Sequence, residues 1–426
     1  MNATTTLNSR PETAPRLLLA SQLIFNLGFY SVVPFLAVSM REDFGMGAMA
    51  VGIVLGARTF AQQGLFLAGG AVADRCGARP AMIAGCLARI AGYVLLAWAA
   101  DFPLFLLGAV ITGVGGALFS PALESLVGAA EERRAAAHPR RTTLFALLVI
   151  CGEIGAVAGP LLGSVLLDTG FDSALFVGAG VFAFMAVVFR FFLPAAKASA
   201  VKPSAGHPAA APPSGTWSCL KEKRFVAFAA FYSINLFAYN QLYFGMPIEL
   251  ERSSAGPGAL SAIFAYASVL TIALQWPIAR LMKQKGPGVA LATGFAIHAL
   301  GFVAISAMAV FPPPAAFPAL PAFLLVTALA FGHMCVAPVA MDLVLDFASG
   351  RPTGAYYGLL ASCGGTMVLL GNVVLAPLYE HATTPSLAAA SPWLVSAVFA
   401  TVSASLIRRF LPARIPASRP QQLQPA

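Results

Sequence analysis

Twelve long apolar runs, joined by short polar turns, limit what this chain can fold into more than any other feature. Each run is about as long as the roughly 20 residues that a helix needs to cross the hydrocarbon core of a bilayer. Hydrophobic residues make up 58% of the 426 positions and charged residues 10%, whereas soluble domains carry about 25% charged residues. The sequence therefore predicts an all-α membrane protein. Its expected spans cover approximately residues 17–39, 47–73, 80–100, 103–128, 142–167, 171–193, 225–248, 258–281, 289–311, 319–345, 354–379 and 391–411.

The distribution of charge predicts how these spans are oriented. Basic residues such as Arg133 and Lys223 fall in alternate turns and in both tails, whereas the opposite turns carry mainly acids such as Asp101 and Glu249. Positively charged loops stay on the cytoplasmic side, so both termini are expected there, as an even number of spans also requires. The net charge of +9 is then explained by these loops rather than by nucleic-acid binding.

The cysteines and the N-terminus indicate neither a disulfide-bonded domain nor a metal site. None of the six cysteines has C-x-x-C spacing, and most lie in apolar runs, so we expect reduced packing residues. The first run is long and lacks a small-residue cleavage motif, which predicts a retained span rather than a cleaved signal peptide. Catalytic, phosphate-binding and cofactor motifs are absent from the sequence, so we predict no cofactor and no enzyme activity.

The chain is predicted to consist of two homologous halves. Asn26 and Tyr30 of the first span recur as Asn235 and Tyr239 of the seventh, at an offset of 209 (235 − 26). Parallel halves that are related about the membrane normal place a substrate site between them. The expected divisions are a disordered cytoplasmic tail at 1–14, a six-helix bundle at 15–194, a flexible cytoplasmic linker at 195–222, a second six-helix bundle at 223–411 and a disordered tail at 412–426.

A charged turn joins the second and third spans. Asp74, Arg75 and Arg79 would be costly inside lipid, so they predict a water-facing hairpin. Gly70 and Gly77 allow a tight turn and a close approach of the backbone.

The fifth span combines a helix-packing pattern with an acid. Gly155, Gly159 and Gly163 repeat every four residues and favour close packing against another helix, while Pro160 permits a bend. Glu153 lies about 12 residues into the predicted span, roughly 18 Å from its cytoplasmic end. A carboxyl group at that depth is a functional candidate, and it could carry a proton or bind a cationic substrate. A carboxyl that is hydrogen-bonded inside the bundle is the other interpretation.

Other polar residues interrupt the apolar spans. Arg58 lies deep in the second span beside Gln62 and Gln63. It either pairs with an acid as a structural anchor or lines a cavity, where it would face an anionic group or Glu153. Further amide, phenol and imidazole groups either orient a polar substrate or form hydrogen bonds between helices. These groups belong to Asn26, Tyr30, Asn235, Tyr239, Asn240, Gln241 and His333.

Two of these stretches resemble motifs of the major facilitator superfamily. The turn from Gly70 to Arg79 resembles its "motif A", and the run from Gly155 to Gly163 resembles "motif C" of its drug–proton antiporters. The runs Arg58 to Gly64 and Thr112 to Pro121 resemble the multidrug-resistance H-type exporters, a branch related to alcaligin-type siderophore exporters. One departure is that Ala109 stands where many proton antiporters have the arginine of "motif B".

The resemblance implies a monomeric transporter with a major facilitator fold, in which the first and seventh spans line a central cavity. It further implies that Asp74 latches the cytoplasmic side by meeting the N-terminus of the eleventh span near Gly354, where the helix dipole stabilises an acid. The expected function is proton-coupled antiport of a small organic molecule, a siderophore or a drug-like compound, out across the bacterial inner membrane. An importer of the same fold is the alternative, and a membrane enzyme or sensor is a more distant one.

Overall fold

The structure is a computed structural model of the chain, and it describes residues 14–137, 144–167, 169–193, 218–255, 258–312, 314, 316–348 and 354–412. Helices make up most of these residues, and no strand occurs among them. In chain order the α-helices are α1 Pro15–Tyr30, α2 Val33–Glu42, α3 Ala48–Thr59, α4 Phe66–Cys76, α5 Ala78–Ala97, α6 Phe102–Ala137, α7 Leu144–Leu167, α8 Phe171–Phe192, α9 Lys223–Asn240, α10 Gly245–Arg252, α11 Gly258–Lys285, α12 Pro287–Val310, α13 Leu320–Ala348, α14 Gly354–Tyr379 and α15 Leu387–Leu406.

Each predicted span corresponds to one helix or to two shorter helices in sequence. Within the described ranges, ten helical segments are long and apolar enough to cross a membrane, and the bent pair α3–α4 makes an eleventh. The seventh predicted span is divided into α9 and α10, which are not among them. The all-helical membrane fold predicted from the apolar runs is therefore confirmed.

Two spans are broken at equivalent places in the two halves of the chain. α1 ends at Tyr30, and α2 begins at Val33 with Pro34 in its first turn. Proline has no N–H group, so the hydrogen-bond ladder of the helix cannot continue through it. α9 ends at Asn240 and α10 begins at Gly245. The sequence repeat aligns Tyr30, the end of α1, with Tyr239, so α9 ends one residue beyond the equivalent position.

The second span is bent by 41° between α3 and α4. A π-helical turn, Phe60–Gly64, lies at the bend, and such turns frequently mark functional positions in helices. The bend places Arg58 just before the turn and Gln62 and Gln63 within it.

Two helix pairs form most of the contact between the N-terminal half, α1–α8, and the C-terminal half, α9–α15. α14 packs along α3, the π turn and α4, while α11 packs against α7. The sequence repeat aligns the second span with the eighth and the fifth with the eleventh, so the two contacts are symmetry-equivalent. The predicted tails and most of the predicted linker lie outside the described residues.

Candidate functional site

Glu153 lies between the two halves of the molecule. It is nine residues beyond the first residue of α7, Leu144, or about 14 Å along the helix axis. Its carboxyl group lies beside the hydroxyl of Ser268 on α11, in the opposite half. The side chain is half-buried, and its neighbour Ser268 places it at the α7–α11 contact between the two halves.

Three tyrosines belong to the electrostatic environment of this carboxyl group. The hydroxyls of Tyr30, Tyr239 and Tyr243 all lie close enough to Glu153 to interact with it electrostatically. The Tyr30 and Tyr243 hydroxyls also lie beside each other, across the boundary between α1 and the turn after α9. The structure therefore brings together Glu153, Tyr30 and Tyr239, which the sequence singled out, with Tyr243 and Ser268, which it did not.

Arg58 is buried on α3, with 5% of its surface exposed. Its Nη1 donates a hydrogen bond to Oε1 of Gln62 at 3.2 Å, and its guanidinium lies 5.0 Å from the centre of the Phe29 ring. The hydroxyls of Tyr30 and Tyr243 are within its electrostatic range. Within the described residues Arg58 forms no ion pair, so the acid-paired anchor considered from sequence is not present.

Arg89, on α5, is buried close to Arg58. It is fully inaccessible to solvent, and its guanidinium lies 4.6, 5.0 and 5.4 Å from the ring centres of Phe25, Phe29 and Phe182. The Tyr93 hydroxyl lies beside its guanidinium, and no described carboxylate pairs with it.

The amides predicted on the seventh span divide between two hydrogen-bonding groups. Nδ2 of Asn235 donates to Nδ1 of His333 at 3.1 Å, and the His333 ring lies 5.0 Å from the Tyr239 ring. Asn240 donates to Oγ1 of Thr59 at 3.4 Å and links α9 to α3.

A buried amide on α14, Asn372, connects this second group to both halves. It donates to Oδ1 of Asn240 at 3.2 Å and to the carbonyl of Gly52 at 3.4 Å. Gln241, the next predicted residue, accepts a hydrogen bond from the Tyr379 hydroxyl at 3.1 Å. Asn235, Asn240 and Gln241 are all buried, so the structure places them in helix–helix contacts, the second interpretation offered above.

The glycines of α7 form its contact with α1. A Cβ atom on Gly155 would lie 2.7 Å from the Leu23 carbonyl, and one on Gly159 would lie 2.5 Å from Cβ of Tyr30. Nδ2 of Asn26 donates to the Gly152 carbonyl at 2.9 Å in the same contact.

The two remaining members of this pattern contact the residue after α1 and the opposite half. Gly163 lies against the backbone of Ser31, and the carbonyl of Pro160 accepts a hydrogen bond from Ser261 of α11 at 3.1 Å. The glycine stripe therefore holds α7, and Glu153 with it, directly on the helix that carries Tyr30.

The charged turn is only partly described. Gly77 has φ +95° between α4 and α5, which favours glycine, and Arg79 donates to the Arg190 carbonyl. The side chain of Asp74 lies outside the described residues, so its predicted contact stays a prediction.

Two further members of this turn can be placed. Arg75 is exposed at the end of α4. The nearest atom to a Cβ on Gly70 would be Cβ of Pro121 on α6, at 3.8 Å. Nothing from α14 lies within 4 Å of that position.

The end of the bundle opposite the described chain ends is held together by charged contacts between the halves. Arg41 and Glu251 form an ion pair with an N–O distance of 2.6 Å. Oε1 of Glu380, after α14, accepts a hydrogen bond from the backbone N–H of Met49 at 3.3 Å. This N–H belongs to the first turn of α3, where a carboxylate is stabilised by the helix dipole. A cleft of about 920 Å³ lies beside the Arg41–Glu251 pair.

Sequence reasoning missed several of these residues for identifiable reasons. Tyr243 follows Tyr239 by four positions, and Asn372 is an isolated amide in an apolar run, so both carried a usable signal. Ser268 and Glu380 carried none, because their role depends on which helix of the other half they face.

Comparison with known proteins gives a consistent result. The sequence profile of the family described as Major Facilitator Superfamily matches residues 18–372. The multidrug resistance protein MdtH of Escherichia coli O1:K1 / APEC is 30% identical over 386 residues, which cover 89% of each chain. An uncharacterized MFS-type transporter of Mycobacterium tuberculosis (strain ATCC 25618 / H37Rv) is 30% identical over 375 residues, 86% of each chain.

Solved structures share the fold at lower sequence identity. A POT family transporter in complex with 5-aminolevulinic acid has a TM-score of 0.74 at 14% identity, covering 96% of this chain and 99% of that chain. The nucleoside transporter NupG has a TM-score of 0.71 at 16% identity, covering 93% and 98%. Together with the family match, these likenesses place the chain among membrane transporters rather than enzymes: it belongs to the Major Facilitator Superfamily.

Proposed function

We propose that this protein exports a small organic molecule across the bacterial inner membrane in exchange for protons, with Glu153 as the proton-binding group. The observation that carries the proposal is the position of Glu153, whose carboxyl group lies beside Ser268 of the opposite half and within electrostatic range of three tyrosine hydroxyls. A carboxyl group in the membrane interior is expensive, and neutralisation by a proton or by a cationic group offsets that cost.

The coupling follows from competition at this carboxylate. A cationic group of the substrate and a proton both neutralise Glu153, so each displaces the other, which is the requirement for exchange. One charge moving through 100 mV releases about 2.3 kcal/mol. That energy supports about a fiftyfold concentration ratio for a substrate moved without net charge, because each 1.4 kcal/mol is a factor of ten.

The direction of opening is part of the proposal. With both termini in the cytoplasm, the end closed by Arg41–Glu251 and by Glu380 on α3 faces the periplasm. The central site would then load from the cytoplasm. Asp74 would close the cytoplasmic side against the N-terminus of α14 in the opposite state, and alternating access would exchange one set of contacts for the other.

The substrate class is supported by the named relative and by the motif in α7. MdtH is named a multidrug resistance protein, and the glycine–proline pattern resembles that of exporters. We propose a drug-like compound or a siderophore as substrate and a monomer as the transporting unit. Comparing the secreted metabolites of a deletion strain with those of its parent under iron starvation, together with drug susceptibility, distinguishes these two substrates.

The test of proton coupling is the Glu153→Gln variant in inverted membrane vesicles. Respiration acidifies the vesicles, and a transported compound that exchanges for protons dissipates the pH gradient, read by a pH-sensitive acridine dye. We expect wild-type protein to give this response and Glu153→Gln to lose it. Asp101→Asn is the matched control, because Asp101 is an exposed acid whose carboxylate only accepts a hydrogen bond from the N–H of Leu104.

Two results would contradict the proposal. An unchanged response in Glu153→Gln would show that another group carries the proton. A compound that leaves the acidified lumen together with protons, rather than entering the lumen in exchange for them, would favour the importer.

A further inference from the structure

The N-terminal half contains two buried arginines without a counter-ion. Arg58 and Arg89 have exposed fractions of 5% and 0%, and no described carboxylate lies within 4.0 Å of either guanidinium. Nε of Arg58 lacks a hydrogen-bond partner in the described ranges, and the guanidinium of Arg89 has only the neutral Tyr93 hydroxyl beside it. Removing a charge from water costs several kcal/mol unless a partner compensates, so this pair is electrostatically incomplete.

The surrounding groups compensate only part of this charge. Both guanidinium groups lie 5.0 Å from the centre of the Phe29 ring, and a cation–π contact contributes about 0.5–2 kcal/mol. The neutral amide of Gln62 accepts one hydrogen bond from Arg58. The two cations also repel each other, since they are within electrostatic range. An anion at Arg58 would therefore be stabilised by both positive charges.

Arg58, unlike Arg89, is placed to meet a ligand. The Tyr30 and Tyr243 hydroxyls lie within electrostatic range of Arg58, and the same two hydroxyls lie within range of Glu153. Glu153 and Arg58 do not form an ion pair with each other. The region between the halves thus contains a carboxylate, Glu153, and a guanidinium, Arg58, with two tyrosine hydroxyls within electrostatic range of both.

We propose that the substrate is zwitterionic, with a cationic group that neutralises Glu153 and an acidic group that binds Arg58. This inference rests on the proposed function and narrows its substrate class. A molecule with only a cationic group would leave Arg58 without an anion. A molecule with only an anionic group would bind best when Glu153 is protonated, so it would travel with the proton rather than against it. Only a molecule with a cationic and an acidic group neutralises both Glu153 and Arg58 and still exchanges for a proton.

Three dyes that share one ring scaffold test this proposal. Rhodamine 110 carries a cationic ring system and a carboxylate, rhodamine 123 is its methyl ester and keeps only the cation, and fluorescein has anionic groups alone. Binding to the purified protein in lipid nanodiscs is measured at equilibrium by fluorescence anisotropy, with empty nanodiscs as the reference. We expect the wild-type protein to bind rhodamine 110 at least tenfold more tightly than either of the other dyes.

The Arg58→Gln variant makes the assignment specific. We expect it to lose the tenfold preference for rhodamine 110 over rhodamine 123 while its affinity for rhodamine 123 is kept, which also shows that the variant is folded. Arg58→Lys retains the charge and should keep part of the preference. Glu153→Gln should lower the affinity for both rhodamines by the same factor.

Equal affinity of the wild-type protein for rhodamine 110 and rhodamine 123, or no binding of rhodamine 110, overturns the proposal that the substrate is zwitterionic. An equal loss of affinity for both rhodamines in Arg58→Gln overturns the role of Arg58. This experiment needs no proton gradient, so its outcome is independent of the vesicle test. A failure of proton exchange would leave a dye preference intact, and a failure of the preference would leave proton exchange intact.

Discussion

At the scale of single residues, the site depends on how closely α7 approaches α1. Gly159 has Cβ of Tyr30 and the carbonyl of Leu27 within 2.5 and 3.0 Å of the position that its own Cβ would occupy. Such a distance leaves no room for a methyl group, so even alanine would displace Tyr30 or the α1 backbone.

We therefore predict that Gly159→Ala destabilises the protein. Overpacking of this kind costs about 1–3 kcal/mol, and we expect a lower midpoint of thermal unfolding in detergent. Gly180→Ala on α8 is the matched control, because nothing lies within 4 Å of its Cβ position and alanine favours a helix. Equal midpoints for the two variants would show that α1 and α7 can separate freely.

Individual residue types were predictable, whereas their partners were not. The depth of Glu153 and Arg58 in apolar runs follows from sequence alone, since the cost of burying a charge is independent of the fold. The absence of an acid at Arg58 does not, because it requires knowing the side chains of four other helices.

At the scale of helices, one end of the α3–α14 contact is closed by a carboxylate. Glu380, just after α14, accepts a hydrogen bond from the first turn of α3, and such a contact with a helix N-terminus is worth about 0.3–2 kcal/mol. The proposed latch of Asp74, near the end of α4, with the start of α14 would repeat this arrangement at the other end.

We predict that Glu380→Gln loosens the closed end of the bundle. The amide keeps an acceptor but loses the negative charge that the helix dipole stabilises. Hydrogen–deuterium exchange measured by mass spectrometry should then show faster uptake at the start of α3 and the end of α14. The control is Asp43→Asn, because Asp43 accepts its hydrogen bond from Ser39 of the helix that it follows, at 2.6 Å. Unchanged exchange in Glu380→Gln would exclude this contact as a closing element.

Helix positions were predictable because apolar length and turn residues determine them. The turn at Gly77 was predicted, and its positive φ follows from the chemistry of glycine. The breaks in the first and seventh spans were not predicted, since each span was expected to be continuous, although Pro34 explains the first break. The π turn from Phe60 to Gly64 was not predictable, because one extra residue in a helical turn leaves no mark in the apolar pattern. It nevertheless determines where Gln62 and Gln63 point.

At the scale of the whole molecule, the internal repeat predicted that the chain consists of two related halves. The matched contacts of α14 with α3 and of α11 with α7 are what a twofold relation between the halves requires. The repeat does not determine which polar groups meet across the boundary, because equivalent positions have diverged. Arg41 and Glu251, for example, form an ion pair that only the folded structure reveals.

We predict that the Arg41–Glu251 pair contributes modestly to closure. The Glu251 side chain is 51% exposed, and exposed pairs are typically worth about 0.2–1 kcal/mol. Arg41→Glu should increase deuterium uptake around α2 and α10, and the exchanged pair Arg41→Glu with Glu251→Arg should restore the wild-type level. If the double variant is no better than the single one, the contact does not act as a pair.

The stripe of glycines on α7 has a mechanical consequence. Because no side chain separates its backbone from α1, the two helices must move as one stiff unit, and Asn26 fastens them with its bond to Gly152. The proposed gain or loss of a proton at Glu153 would thus be transmitted through that unit to Tyr30. The close packing of the two backbones would then convert protonation of one carboxyl group into a displacement of two helices.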